Sequence, residues 1–177
     1  DWTLPQIIEF ASKHGFKGIE VRGLLRQMDL PLCKEFDSQN LSATMRIMQD
    51  HDLKFVNLGS SCTLHFADAA QRQKNLDEGK RFVDLAQKLE CPYIRVFPNN
   101  FPKEQTKEQT LELIAAGLKE LGDYSTNSKV KVLMETHGDV LYIGDLVQLM
   151  KMVNHSRGGL VWDMTNMWVK TKESPTN

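Results

Sequence analysis

The sequence predicts an α/β fold in which parallel strands alternate with helices, and two features of the chain support this. Short apolar segments typical of buried strands alternate with longer segments whose apolar residues recur at helical spacing. The predicted strands end about 35 residues apart, the length of a repeating strand-helix unit, at Arg22, Leu58, Phe97, Glu135 and Asp163. A chain of 177 residues suits a single domain, here residues 1–177.

The N-terminal part of the chain predicts two helices and two strands. The first helix has an apolar stripe at Leu4, Ile7, Ile8 and Ala11. Thr3 and Gln6 have the spacing of a capping box at its start. A strand is predicted over 18–22, and a second helix around Leu41, Met45 and Met48 precedes a strand over 54–58.

The remainder of the chain repeats this alternation. A long helix is predicted over 76–89, followed by a strand over 93–97 between two prolines. A second capping box, Thr106 with Gln109, begins the next helix. A strand over 130–135, a helix over 146–153 and a last strand over 159–163 complete the pattern. Ser174 and Pro175 are typical of a further helix start.

Two architectures fit alternating strands and helices, a doubly wound open sheet and a (β/α)8 TIM barrel. The glycine-rich phosphate loop of the dinucleotide-binding sheets is absent. Eight units of this length need roughly 280 residues, within the range of a barrel. The chain begins on a helix and holds about five strands with outer helices. We therefore predict an incomplete barrel that lacks the first strand and the last two.

The composition narrows the choice of partners. The chain has 22 Lys and Arg against 23 Asp and Glu, which argues against nucleic acid or a membrane surface as the partner. The cysteines, Cys33, Cys62 and Cys91, have neither metal-type nor disulfide spacing, so we expect a reducing, cytoplasmic location. The exposed edges of an incomplete sheet are compatible with a homo-oligomer.

The strongest candidate site is a pair of carboxylates at the ends of consecutive strands. Ligand sites of parallel α/β proteins lie at the carboxyl ends of the strands, where Glu135 and Asp163 each follow an apolar run. Two ionised carboxylates on neighbouring strands repel unless one is protonated or a cation lies between them. We predict that both bind a divalent metal ion. The alternative is that each acid caps a helix or joins an ion pair.

Other polar residues near the strand ends are candidates for contact with a substrate. His137 follows Glu135 by two residues and is a candidate ligand, proton carrier or substrate contact, or else a solvated loop residue. We assign substrate binding to Arg95, His65, Asn166 and Trp168. The alternatives are an ion pair with Glu20 or Glu135 for Arg95, a surface position for His65, a turn for Asn166 and a rim contact for Trp168. Arg22 is likewise a candidate for binding a carboxylate, a phosphate or a hydroxyl.

Five segments together resemble a known superfamily. They are GIEVR at 18–22, NLGSS at 57–61, YIRVF at 93–97, LMETH at 133–137 and VWD at 161–163. In order and spacing they resemble the xylose-isomerase-like TIM barrels, specifically the sugar phosphate isomerase/epimerase group. The resemblance implies one divalent metal (manganese, magnesium, cobalt or zinc) with four ligands, of which Glu135 and Asp163 match two. The other two, a His and a Glu, belong to the last two strands.

The resemblance implies an isomerase or epimerase that acts on a small sugar or polyol by proton transfer through an enediolate. Glu135 would be a ligand and proton carrier, Asp163 a ligand, and His137 a substrate or proton contact. Many members have a His where this chain has Asn166, a departure from the ketose 3-epimerases and from the three-zinc endonucleases. A metal-dependent endonuclease or hydrolase of the same superfamily and a non-catalytic sugar-binding barrel remain the alternatives.

Overall fold

The computed structural model describes residues 2–174. The helices and strands follow one another as α1 Leu4–Lys13, β1 Gly18–Val21, α2 Leu41–Asp50, β2 Lys54–Thr63, α3 Ala69–Lys88, β3 Tyr93–Phe97, α4 Lys107–Tyr124, β4 Lys131–Glu135, α5 Ile143–Val153, β5 Gly158–Val161 and α6 Met164–Thr171. Two 3-10 turns, Leu30–Leu32 and Lys34–Phe36, lie between β1 and α2.

The strands form one parallel sheet in the order β1-β2-β3-β4-β5. Strand order that follows chain order is typical of a barrel, whereas a doubly wound sheet reverses direction part-way across. Right-handed crossovers between such strands place the connecting helices on one face. The predicted parallel α/β architecture, a barrel with part of its strands, is therefore confirmed.

The two faces of the sheet differ in chemistry because successive side chains of a strand point to opposite sides. The helix-covered face has the buried apolar residues Val21, Leu58, Ile94, Val96 and Met134. The inner face has the intervening polar residues, among them Glu20, which pairs across the sheet with Asn57, and Arg95, which pairs with Gly59. The charged side chains of the strands therefore lie on the side that a barrel encloses.

Both predicted capping boxes are present and fix the starts of α1 and α4. The Thr106 backbone amide donates to Gln109 Oε1 at 2.9 Å, and the Gln109 amide donates to Thr106 Oγ1 at 3.2 Å. Thr3 and Gln6 form the same reciprocal pair. Each box satisfies amides that the first helical turn leaves without partners.

The structure extends β2 beyond its predicted end at Leu58. The Ser61 amide donates to Glu78 Oε1 at 2.7 Å, and the Thr63 amide donates to Asn75 Oδ1 at 2.8 Å. These side chains lie on α3 and replace the hydrogen bonds that a neighbouring strand would supply. The extended backbone therefore continues to Thr63.

The segment after β5 was interpreted incorrectly from the sequence. The last strand ends at Val161 rather than at Asp163, and α6 begins directly after Asp163. Trp162, the residue after β5, is 47% exposed. Ser174 ends the part of the chain that the structure describes, so the helix predicted to begin at Pro175 lies outside it.

The interior of the fold contains all three cysteines, each buried as a free thiol. Burial raises the pKa of the Cys33 and Cys91 thiols to about 11 each, and raises the pKa of Cys62 further still. Thiols with raised pKa values are poor nucleophiles and poor metal ligands at neutral pH. Across residues 2–174, no helix combines the length and apolarity needed to cross a bilayer.

Candidate metal and substrate site

Glu135 ends β4 on the inner face and lies next to Arg95 of β3. Arg95 Nε is 3.0 Å from Glu135 Oε2, and the side chains are 7% and 19% exposed. The Nε–H group has no acceptor in hydrogen-bond geometry, so the contact is an ion pair without a hydrogen bond. The ion pair proposed from the sequence as the alternative role of Arg95 is therefore present.

Arg95 is held firmly by its surroundings. Its Nη1 donates to the Ser60 carbonyl at 2.7 Å, and Ser60 Oγ donates to the Arg95 carbonyl at 2.7 Å. The guanidinium carbon lies 3.9 Å from the centre of the Phe97 ring, a cation-π contact. Burial lowers the pKa of Arg95, and Glu135 opposes that shift. The guanidinium stays charged because its ordinary pKa is so high.

His137 joins the same cluster through Phe97. The two rings lie 4.8 Å apart. His137 Nδ1 is buried without a hydrogen-bond partner, and buried polar atoms without partners are rare. The imidazole therefore has an unused donor or acceptor close to Arg95 and Glu135.

Asp163 lies beside β4 and caps α6. The Asp163 backbone amide donates to Thr136 Oγ1 at 2.8 Å. The Asp163 backbone therefore lies next to Thr136, the residue after Glu135. Its Oδ1 accepts from the Asn166 amide at 2.8 Å. The helix cap proposed as the alternative role of Asp163 is therefore also present. Among residues 2–174, no hydrogen bond or ion pair involves Asp163 Oδ2.

These carboxylates fit a divalent metal ion as part of its ligand set. Glu135 Oε2 contacts Arg95, and Asp163 Oδ1 accepts from the Asn166 backbone amide. Carboxylate oxygens suit magnesium, manganese and zinc. Within the described part of the chain, no three His, Cys, Asp or Glu side chains are arranged to hold a metal ion. A metal site that included Glu135 and Asp163 would therefore need ligands that residues 2–174 do not arrange around them.

His65 lies just beyond β2, next to the end of β3. It is 8% exposed, and burial lowers the pKa of its imidazole, so the ring is neutral at physiological pH. Within residues 2–174, His65 Nδ1 has no hydrogen-bond partner. Its carbonyl accepts from Gln105 Nε2 at 3.2 Å, so the loop before α4 covers it.

Asn166 and Trp168 lie on α6 and differ in their surroundings. Asn166 Nδ2 donates to the Thr136 carbonyl at 3.3 Å, which keeps it close to Glu135 and Asp163. Trp168 is 53% exposed, and Lys172 Nζ lies 5.9 Å from the centre of its ring. No contact joins Trp168 to Arg95, Glu135 or His137 among residues 2–174.

Several residues of this cluster were missed by reasoning from the sequence. Phe97 links Arg95 to His137, Ser60 fixes Arg95, and Thr136 ties Asp163 to β4. Two-residue alternation along β3 places Phe97 on the face of Arg95 and was the available signal. The contacts of Ser60 and Thr136 depend on tertiary structure and had no sequence signal.

A sequence model of the xylose isomerase-like TIM barrel family matches residues 8–176. The chain belongs to this family, as the resemblance from the sequence predicted. No curated protein sequence matches the chain.

Solved structures show the same fold. The IolI protein with a bound zinc atom is 22% identical, with a TM-score of 0.79 over 94% of this chain and 60% of its own. D-psicose 3-epimerase, solved with D-fructose, is 16% identical, with a TM-score of 0.78 over 98% and 62%. The probable 3-DHS dehydratase AsbF of Bacillus anthracis is 18% identical, with a TM-score of 0.76 over 96% and 60%. The chain thus spans about three fifths of the length of these proteins.

Proposed function

We propose that this chain belongs to a divalent-metal-dependent isomerase or epimerase that acts on a small sugar or polyol. The observation that supports this most strongly is the placement of Glu135 and Asp163. Glu135 ends β4, and Asp163 follows the end of the neighbouring strand β5 by two residues, in a xylose isomerase-like barrel. Similar folds include an epimerase and a zinc-containing protein.

Glu135 and Asp163 would hold the metal, which when bound supplies Lewis-acid polarisation of a carbonyl and its adjacent hydroxyl. Arg95 orients Glu135 and fixes which of its oxygens faces the site. His137, with Nδ1 free of protein partners, is placed to move a proton between substrate positions through an enediolate. The buried, neutral imidazole of His65 and the side-chain amide of Asn166 can hydrogen-bond substrate hydroxyls. Trp168 would contribute an exposed ring at the rim.

The proposal is tested by proton exchange in the intact protein that contains residues 1–177. The metal-free protein and samples loaded with manganese, magnesium, cobalt or zinc are incubated in deuterated water with ketoses, aldoses and inositol-type ketones. NMR follows both deuterium incorporation and product. We expect metal-dependent exchange at the carbon next to the carbonyl, or product alone where the base returns the same proton.

Variants assign the individual roles. Glu135→Gln should lose metal and turnover together. His137→Gln should keep the metal and lower kcat by about 10²–10⁴-fold, the usual contribution of general acid-base catalysis. His51→Gln, at an exposed helix end, is the matched control. Neither exchange nor product, with metal-dependent cleavage of abasic DNA, would assign the endonuclease branch; sugar binding without turnover would assign the non-catalytic barrel.

A further inference from the structure

Arg22 is a half-buried arginine whose hydrogen-bond acceptors within residues 2–174 are neutral. It follows β1 directly, at the carboxyl end where barrel sites lie. Its Nη1 donates to the Gly59 carbonyl at 3.3 Å, and its Nη2 donates to Ser61 Oγ at 2.8 Å. Arg95 and Arg81 each have a carboxylate partner. Within residues 2–174, no carboxylate forms an ion pair with Arg22.

Gly59 lets two guanidinium groups approach one another. A Cβ added at Gly59 would lie 2.8 Å from Arg22 Cδ and 3.0 Å from Arg95 Nη2. Both arginines therefore lie against the same backbone position of β2. Glu135 forms an ion pair with Arg95. Within residues 2–174 Arg22 forms no ion pair, and the Glu20 carboxylate of the same face acts on Arg95. Such an arrangement attracts an anion.

A cavity of about 720 Å³ opens beside Arg22 and is mostly apolar elsewhere, being lined by Trp2, Ile7, Arg22, Gly23, Leu25, Arg26 and Met28. Its size is that of a small-molecule site, in which apolar walls surround a few polar groups. One wall is a two-residue hairpin closed by the pair Leu24 and Gln27.

The hairpin has a strained backbone. Leu25 and Arg26 have φ angles of +47° and +71°, a left-handed conformation that non-glycine residues rarely adopt. Hairpins of this kind usually have Asn and Gly at the two positions. Leu25 instead places a large, 53% exposed apolar side chain at the cavity wall.

We propose that Arg22 and Ser61 bind a carboxylate or phosphate group of the substrate, which would then be an anionic polyol or sugar. This inference deepens the proposed function and rests on it for the identity of the ligand as a substrate. Ser61 Oγ accepts from Arg22, so its own O–H remains able to donate to the same anion. Glu78, on α3, accepts a hydrogen bond from the Ser61 backbone amide. Within residues 2–174 it forms no ion pair with Arg22. From Arg22 the substrate extends over Gly59 and Arg95 towards Glu135.

The test measures binding of unreactive probes to the intact protein without added metal, by isothermal titration calorimetry. Gluconate has a carboxylate, glycerol 3-phosphate has a phosphate, and glucitol is a neutral polyol. We expect at least one anion to bind about tenfold or more tightly than glucitol, and the arm that does so identifies the group. Arg22→Met should abolish that preference, a loss of about 10- to 100-fold for a charge-assisted contact.

Two further variants make the test decisive. Arg22→Lys keeps the charge and removes the guanidinium fork, so it should retain part of the preference, and it serves where Arg22→Met fails to fold. Arg46→Met alters an exposed arginine of α2 and should bind as wild type does. Equal binding of all probes to wild type would overturn the proposal. So would an undiminished anion preference in Arg22→Met, or in Arg22→Lys where Arg22→Met does not fold. Because these probes need neither metal nor turnover, the outcome is independent of the exchange experiment.

Discussion

The ends of β4 and β5 each place a carboxylate near the same edge of the sheet, yet the two acids have different surroundings. Glu135 lies on a strand with neighbours on both sides and pairs with the buried guanidinium of Arg95. Asp163 follows the last described strand and caps an eight-residue helix, α6, whose only buried residue is Met167. Contacts in the interior of the sheet fix Glu135, whereas the first turn of α6 fixes Asp163.

This difference separates the ways in which the two acids contribute. Arg95 compensates the charge of Glu135 within the sheet. A substitution that removes either charge therefore leaves the other unbalanced. Asp163 has a local structural role that an uncharged side chain of similar shape can replace. Substitutions that remove charge while keeping shape therefore distinguish a metal ligand from a structural residue at both positions.

The largest effect is expected from Arg95→Met. The substitution leaves the partly buried Glu135 carboxylate without its partner and should lower the free energy of unfolding by about 3 kcal/mol. Urea denaturation followed by circular dichroism measures the change. Arg81→Met breaks the more exposed pair with Asp29 and should cost less than about 1 kcal/mol. Adding Glu135→Gln should restore part of the loss; an Arg95→Met protein as stable as wild type would show that the pair contributes little.

Metal affinity should fall when either carboxylate is neutralised. Glu135→Gln and Asp163→Asn should each weaken cobalt binding about a hundredfold or more, roughly 2.7 kcal/mol, measured on the intact protein from the cobalt absorption bands. Asp139→Asn is the control, because Asp139 Oδ2 accepts only the Phe101 amide and an amide oxygen can do the same. Unchanged affinity in Asp163→Asn would assign Asp163 to helix capping alone.

Removal of the cap itself should have a smaller effect. Asp163→Ala loses the hydrogen bond to the Asn166 amide and should cost about 1 kcal/mol, whereas Asp163→Asn should stay close to wild type in stability. Hydrogen exchange of the first-turn amides of α6 localises the change. Equal protection in the alanine and wild-type proteins would mean that packing, not capping, fixes this helix.

The smallest effect concerns pH and His65. Because burial lowers the pKa of His65, the unfolded chain binds a proton at this residue more readily than the folded one does. This contribution to stability is complete above the unfolded value near 6.5 and is lost as pH falls from there through the folded pKa. His65→Gln should therefore show less acid destabilisation between pH 7.5 and 5 in parallel urea titrations. Identical pH dependence in both proteins would contradict a buried neutral imidazole.

The sequence was sufficient for the regular parts of the fold. Apolar periodicity and capping residues are local signals, so the helices from α1 to α5, the capping boxes at Thr3 and Thr106, and the parallel strands were all predicted. The end of β2 was misplaced because its last amides bond to Glu78 and Asn75 of α3, contacts that no local pattern encodes. Helix α6 was missed because Asp163 was interpreted first as a metal ligand at a strand end, with a helix cap only as the alternative.

The candidate site was predicted in part, for a similar reason. Glu135, Asp163, Arg95 and His137 follow from the rule that parallel strands present ligands at their carboxyl ends. That rule gives positions, and it left Glu20 and Glu135 as alternative ion-pair partners of Arg95. The pairing of Arg95 with Glu135 follows from the register of β3 and β4, which aligns Arg95 with Leu133, two residues before Glu135.

The three buried cysteines can report local opening of the fold. Cys33, Cys62 and Cys91 lie in the core beneath different strands and helices, and their raised pKa values suppress reaction in the closed state. A small alkylating reagent can therefore modify them only during transient exposure. Mass spectrometry of each thiol over time gives a separate opening rate for each region, with no label introduced by mutation.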